Sequence, residues 1–324
     1  MTCVRDFART LLLFPKLWLA LRNQRKTSTI LLKQFSIRLS HHNSQRLHLY
    51  GLYIPVFIGE SYSILRGRKL SFDERAAITY LGSMTGLFDD LFDSEKHADD
   101  AIRALIHNTK PADSLSEVEQ ILLRLFDLFQ THIQDKKDIE SLVNRVFESQ
   151  VQSRKQIQPL LTTAEIKEIT FNKGGYTMQL YRRAFAGNVS EAEDALFFNI
   201  GAIGQLENDI FDIYNDFTAG ISTLATISSS IQSLRDIYAD LQHLIFRQIE
   251  NLDYNKADKR AFKCIFALIT ARGLVALDNL AQLENRVGSA FNTKNFTRQE
   301  LICDMEKPKN WVKLLHYASK CSKK

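Results

Sequence analysis

Apolar residues recur every three to four positions along most of the chain. After Ser114 they fall at Ile121, Leu122, Leu125 and Leu128, a spacing near 3.6 that sets them along one stripe of a helix. Helix starts are marked too. A Ser or Thr followed three residues later by Glu can satisfy two otherwise unpaired backbone N–H groups reciprocally. The pairs Ser71/Glu74, Ser114/Glu117, Thr162/Glu165, Ser190/Glu193 and Thr297/Glu300 each precede such a run. Period-two alternation is not sustained, and β-branched runs bounded by Asn-Gly or Asp-Gly are absent. The pattern predicts an all-α protein.

Breaks between helices are expected at 41–44, 66–69, 108–114, 158–163, 187–190, 251–258 and 291–297. Most are short, none is a long Pro/Gly/Ser linker, and no fixed-period repeat runs through the chain. This predicts a single helical bundle of roughly ten helices over 49–324, with residues 1–48 a basic helical segment that is part of it or appended to it.

Composition narrows the classes. With 45% hydrophobic and 24% charged residues in 324, five prolines and thirteen glycines, the chain is neither collagen-like nor disordered. No window reaches the ~18 uninterrupted apolar residues of a membrane-spanning helix, so an integral membrane protein is not expected. Cys3, Cys264, Cys303 and Cys321 are scattered without C-x-x-C spacing, which suits isolated thiols in a reducing cytoplasm. The net charge of +5 hides an asymmetry. Residues 1–50 hold nine Lys/Arg against Asp6 alone, or +8, which leaves −3 for the remainder. Such an Arg-rich start fits a transit peptide, whereas no A-x-A-like site supports a signal peptide. The preferred reading is an amphipathic helix with a basic face, in peripheral contact with anionic lipid. No helix-turn-helix or RNP motif and no basic–aromatic interleaving points to nucleic acid, and no Ser-His-Asp or G-x-G-x-x-G pattern is present.

Two groups of acids carry candidate chemistry. In Asp89-Asp90-Leu91-Phe92-Asp93, the i, i+4 spacing projects Asp89 and Asp93 to one face with Asp90 beside them. Like charges late in a helix, where the macrodipole disfavours them, oppose folding unless a cation joins them, and Mg²⁺ takes carboxylate oxygens while keeping waters and phosphates. A solvated acidic helix end is the alternative. The second group is Asn208-Asp209-Ile210-Phe211-Asp212-Ile213-Tyr214-Asn215-Asp216, where Asn208, Asp212 and Asp216 follow i, i+4, i+8 along one stripe. Apolar neighbours imply a helix buried on more than one side. Gly201 and Gly204 upstream suggest close approach of a helix or a ligand.

These motifs resemble the class I isoprenoid synthase superfamily of terpene cyclases, prenyltransferases and squalene/phytoene synthases. Asp89 to Asp93 is similar to D-D-x-x-D. Asn208 to Asp216 is similar to N-D-x-x-S/T-x-x-x-E, with Asp212 in the Ser/Thr place and Asp216 in the Glu place; the resemblance covers about residues 50–320. It implies an all-α bundle around a central cavity. It also implies Mg²⁺, three ions assembled with substrate diphosphate, held by Asp89, Asp90, Asp93, Asn208, Asp212 and Asp216. The implied substrate is an allylic prenyl diphosphate, ionised to a carbocation that is cyclised or quenched.

Lys173-Gly174-Gly175-Tyr176 resembles the kinked helix with which these enzymes sense diphosphate. Its paired glycines predict a helix break, or else an ordinary helix–helix turn. Arg154, Arg182 and Arg183 are further diphosphate candidates, and Tyr317, in His316-Tyr317, stands nearest to the family's C-terminal Arg-Tyr pair. Phe88, Phe92, Phe197, Phe198, Phe211 and Tyr214 are near enough in sequence to stabilise a cation through their ring faces. Asp212 and Asp216 also read as the D-x-x-x-D of squalene and phytoene synthases, so head-to-head condensation stays open. Chain elongation is weaker, because Arg66-Gly67-Arg68-Lys69 lacks the family's G-G-K-R pattern. A non-catalytic helical binding protein is the third alternative, and both monomer and homodimer remain open.

Overall fold

The structure, a computed structural model, describes residues 2–93, 99–157 and 161–321, and their side chains except at 2–14, Leu17, Asp93 and Cys321. Among the described residues all regular elements are helical and no strand is present. The chain falls into two compact units. Leu13–Phe147 with Leu180–Asn188 form an amino-terminal unit, and the remaining residues form a carboxy-terminal unit.

The amino-terminal unit holds most of α1 (Thr2–Ser36), then α2 (His41–Ile54), a π-helical turn at Pro55–Glu60, α3 (Ser61–Leu65), α4 (Phe72–Asp93), α5 (Asp99–Ile106), α6 (Glu117–His132) and most of α7 (Ile139–Ser153). Helix α4 is its axis, packed between α2 and α6. Ile78, Leu81 and Leu87 from α4, Leu47 from α2 and Ile121, Leu122, Leu125 and Phe129 from α6 are all buried. The start of α4 is fixed as the sequence predicts. Ser71 Oγ accepts from the Glu74 N–H at 3.1 Å and Glu74 accepts from the Ser71 N–H at 2.9 Å. At α6 the box is Ser116/Glu119, not Ser114/Glu117. Pro111 opens a 3₁₀ turn over Ala112–Ser114, and the Ser114 hydroxyl is taken by the Pro111 carbonyl at 2.7 Å, which moves the helix start two residues on.

The carboxy-terminal unit contains most of α8 (Thr163–Arg182), α9 (Glu191–Phe211), α10 (Ile213–Thr218), α11 (Ile231–Asn251), α12 (Lys256–Val287), α13 (Arg298–Leu301) and α14 (Pro308–Cys321). Helices α9, α11 and α12 pack against one another and α14 lies on α12. Helix α12 is long and apolar enough to cross a membrane, yet 67% of its most apolar stretch is buried, the position of a core helix. Thr162/Glu165 and Thr297/Glu300 form the expected hydrogen bonds. Ser190 accepts from the Glu193 N–H, but the Glu193 carboxylate takes the Tyr254 hydroxyl at 2.9 Å. The break expected at 158–163 lies partly outside the described residues, since 158–160 are not described.

Lys173-Gly174-Gly175 does not break α8, which is continuous through it. The glycines serve helix packing instead. A Cβ on Gly174 would stand 2.1 Å from the Gly201 carbonyl oxygen, and one on Gly175 would stand 2.4 Å from the Phe198 ring. Helices α8 and α9 therefore touch backbone to backbone at Gly174 and Gly201. Gly204, by contrast, faces open space.

Candidate functional site

The first acid group sits at the end of α4. Asp89 and Asp90 are half-buried, and Asp93 is the last residue of the helix, its side chain outside the described residues. Close packing shapes this end: a Cβ on Gly86 would stand 2.8 Å from the Tyr50 ring, so α2 can bring Tyr50 and Arg46 against α4. Arg46 Nε stands 3.0 Å from Asp90 Oδ2 while its N–H points to the Gly86 carbonyl at 3.2 Å, and a His42 ring nitrogen is 3.6 Å from the same oxygen. Asp90 is thus neutralised by charge without accepting a hydrogen bond at Oδ2. Burial and then the Asp89 charge push the Tyr50 hydroxyl up, against Arg46. Tyr181, fully buried, is pushed up chiefly by burial, and its hydroxyl lies 2.6 Å from Thr85 Oγ1.

The second group surrounds the joint between α9 and α10. Asp212 is the joint: its N–H gives to the Asn208 carbonyl at 2.8 Å and its carbonyl accepts from the Asp216 N–H at 2.9 Å, so the turn continues through it. Asn208 is exposed, and Asp212 and Asp216 are half-buried. The structure adds Asp209 to this group. It is buried, accepting from Thr170 at 3.0 Å and from Gln205 at 2.9 Å. Burial pushes Asp209 up to about 6 despite those bonds and Lys173. Asp216 is pushed up to about 7 by burial and then by the charges of Asp209 and Asp212, with Lys173 opposing. Asp209, Asp212 and Asp216 follow i, i+3, i+7, as helical a register as i, i+4, i+8, and that spacing was the signal available for Asp209. Lys173, on the continuous α8, acts electrostatically on Asp209 and Asp216.

Other candidates are placed elsewhere. Arg182 is a buried structural arginine that donates to the carbonyls of Phe185, Gly187 and Asn188, closing the end of α8, and its guanidinium lies 4.8 Å from the Tyr62 ring. These bonds to backbone carbonyls, at 1% exposure, give Arg182 a structural place in the fold. Tyr317 donates to Asp278 at 2.8 Å, and the same carboxylate holds Arg235 at 2.6 Å and Lys313 at 3.4 Å. Arg154 lies half-buried in a 3₁₀ turn at Arg154–Ile157. Phe92 and Phe197 are core, Phe198 packs on Gly175, and Phe211 lies under the Arg272 guanidinium at 5.3 Å.

Among the described residues no three His, Cys, Asp or Glu side chains converge as a ready metal cage. The donors nevertheless suit Mg²⁺. It is usually held by one or two carboxylates together with waters and substrate phosphates, and Asp212 and Asp216 supply hard oxygens whose mutual repulsion a divalent cation would relieve. No protein-family model matches the chain and no curated protein matches it in sequence, so a family reading rests on these residues alone.

Proposed function

We propose that this protein is a Mg²⁺-dependent terpene synthase of the class I kind, converting one allylic prenyl diphosphate into a hydrocarbon or alcohol with release of diphosphate. The observation that supports this most is the crowding of Asp209, Asp212 and Asp216 beside Lys173. Burial, and then repulsion by Asp209 and Asp212, raise the Asp216 carboxyl to about 7, and the nearby Lys173 ammonium offsets part of the shift. Such a patch gains from a cation that brings its own anion. Bound Mg²⁺ would supply electrophilic stabilisation of the leaving diphosphate.

Lys173 contributes a point charge to the same leaving group. In this reading Asp212 and Asp216 would hold the metal, and Asp89, Asp90 and Asp93 carry the other motif. Asp209, fixed by Thr170 and Gln205, positions the joint from which Asp212 and Asp216 project. The allylic C–O bond breaks with its electron pair leaving on diphosphate, and the cation ends by losing a proton or capturing water. Chain elongation is disfavoured by a specific observation: Arg66 and Arg68, the basic stretch ahead of the first motif, are bound to Glu74 at 2.6 and 2.9 Å.

Calorimetric titration with inorganic diphosphate tests the reading. Binding is expected only with Mg²⁺, about tenfold weaker in Lys173→Ala and lost in Asp216→Asn. Binding that ignores Mg²⁺ and both substitutions would favour a non-catalytic helical binding protein.

A further inference from the structure

We propose that the outer face of α1 docks the protein on an anionic lipid bilayer, an interaction independent of the proposed reaction. The inner face of this helix is fixed. Gln24 donates to the Gly51 carbonyl at 2.9 Å and to Thr79 at 2.8 Å and accepts from Arg75 at 3.2 Å, while Ser28, Leu32 and Phe35, on the same side, are buried. The helix cannot roll to hide its other side. That side carries Leu19, Arg22, Lys26, Ile30 and Lys33, with Ile37 just past the helix end, at spacings of three and four, all exposed. Ile30 at 78% and Ile37 at 76% are the two most exposed of the large apolar residues described, and Trp18, at 62%, flanks the row with Arg22 5.9 Å from its ring.

Charge selects the occupant. Between Asp6 and Glu60 the chain has no carboxylate, so beyond its first turns α1 carries no acid to match the cations of this face. A phosphate surface supplies the missing charge. Cations alone would also suit nucleic acid, but Leu19, Ile30 and Ile37 interleaved with them gain nothing from a phosphodiester backbone. A bilayer interface accepts both, with aliphatic tips entering the acyl boundary, ammonium groups at the phosphates and a Trp at headgroup level.

The test is sedimentation of the full chain with vesicles of phosphatidylcholine alone or in equimolar mixture with phosphatidylglycerol. Binding is expected to the mixed vesicles alone and should fall with added salt. Lys26→Glu with Lys33→Glu should lower partitioning at least about tenfold, and Ile30→Ser with Ile37→Ser about fivefold, with circular dichroism unchanged because these side chains are exposed. Equal binding to both vesicles, no binding, or variants that bind as wild type would overturn the proposal. So would a wild-type dimer made monomeric by Ile30→Ser, which would give the face to a second copy, or displacement from vesicles by RNA.

Discussion

Glu74 and Asp216 are carboxylates that their surroundings drive in opposite directions, and the direction decides what each does to stability. Burial alone would raise Glu74, but hydrogen bonds from Arg66, the Ser71 N–H and Arg68 outweigh it and hold the group at about 2. The folded state then binds fewer protons than the unfolded chain below the ordinary value of 4.5. Its contribution is fully present above about pH 4.5 and is lost as pH falls to about 2, on the order of 3 kcal/mol. Glu74→Gln should lower the melting temperature at pH 7 and flatten its acid dependence; a variant that melts as wild type does at pH 7 and throughout the acid range would refute this. Asp216 runs the other way. Its raised value means the folded state keeps a proton that the unfolded chain releases, so its penalty grows as pH rises from about 4 to about 7. Without divalent cations, Asp216→Asn should raise the melting temperature by about 2–4 °C at pH 8, after allowance for solvent screening, and by less at pH 5. Spacing singles out Asp212 and Asp216 but does not choose between Asp209 and Asn208, because both lie on helical registers. Only burial, which a single sequence does not show, separates them.

At the scale of elements, caps and apolar periodicity were legible because they depend on residues three or four apart. Ser71, Thr162 and Thr297 mark true helix starts for that reason. Ser116 replaced Ser114 because a proline turn shifted the boundary, a local effect of Pro111 that the periodic pattern does not register. Gly174-Gly175 reads in the sequence as a break or a turn, yet α8 runs through it. What decides between a break and a close contact is the partner helix, and Gly201 is distant in sequence. The contact makes a sharp contrast available. Gly174→Ala places a methyl 2.1 Å from a backbone oxygen that cannot move aside, and should destabilise by about 1–3 kcal/mol or more. Gly204→Ala meets nothing within 4 Å and should stabilise by up to about 1 kcal/mol. Urea denaturation of the two variants distinguishes them; equal effects would mean that α8 and α9 do not touch at Gly174. Arg182→Met should also destabilise, because three backbone carbonyls lose their donor while diphosphate binding by the folded protein is unchanged. Loss of that binding with normal stability would return Arg182 to the site.

For the whole molecule, the all-α class follows from pattern alone, since absent strand signals and repeated helix starts agree. Helix α12 shows the limit of composition: its apolar stretch passes the length test for a membrane span, but most of it is buried beside α9, α11 and α14. Candidate chemistry is legible in the sequence only where charge has to be explained, at Asp89 to Asp93 and Asn208 to Asp216, and the chemistry proposed there is the central claim. It is tested most directly by incubating the purified chain with Mg²⁺ and a single allylic prenyl diphosphate, in turn C10, C15 and C20, and measuring diphosphate released together with organic-extractable product. The account predicts product and diphosphate in equal amounts without isopentenyl diphosphate, abolished by chelation and by Asp90→Ala or Asp216→Asn in folded protein. Full activity in either variant, or turnover that requires isopentenyl diphosphate, would contradict it.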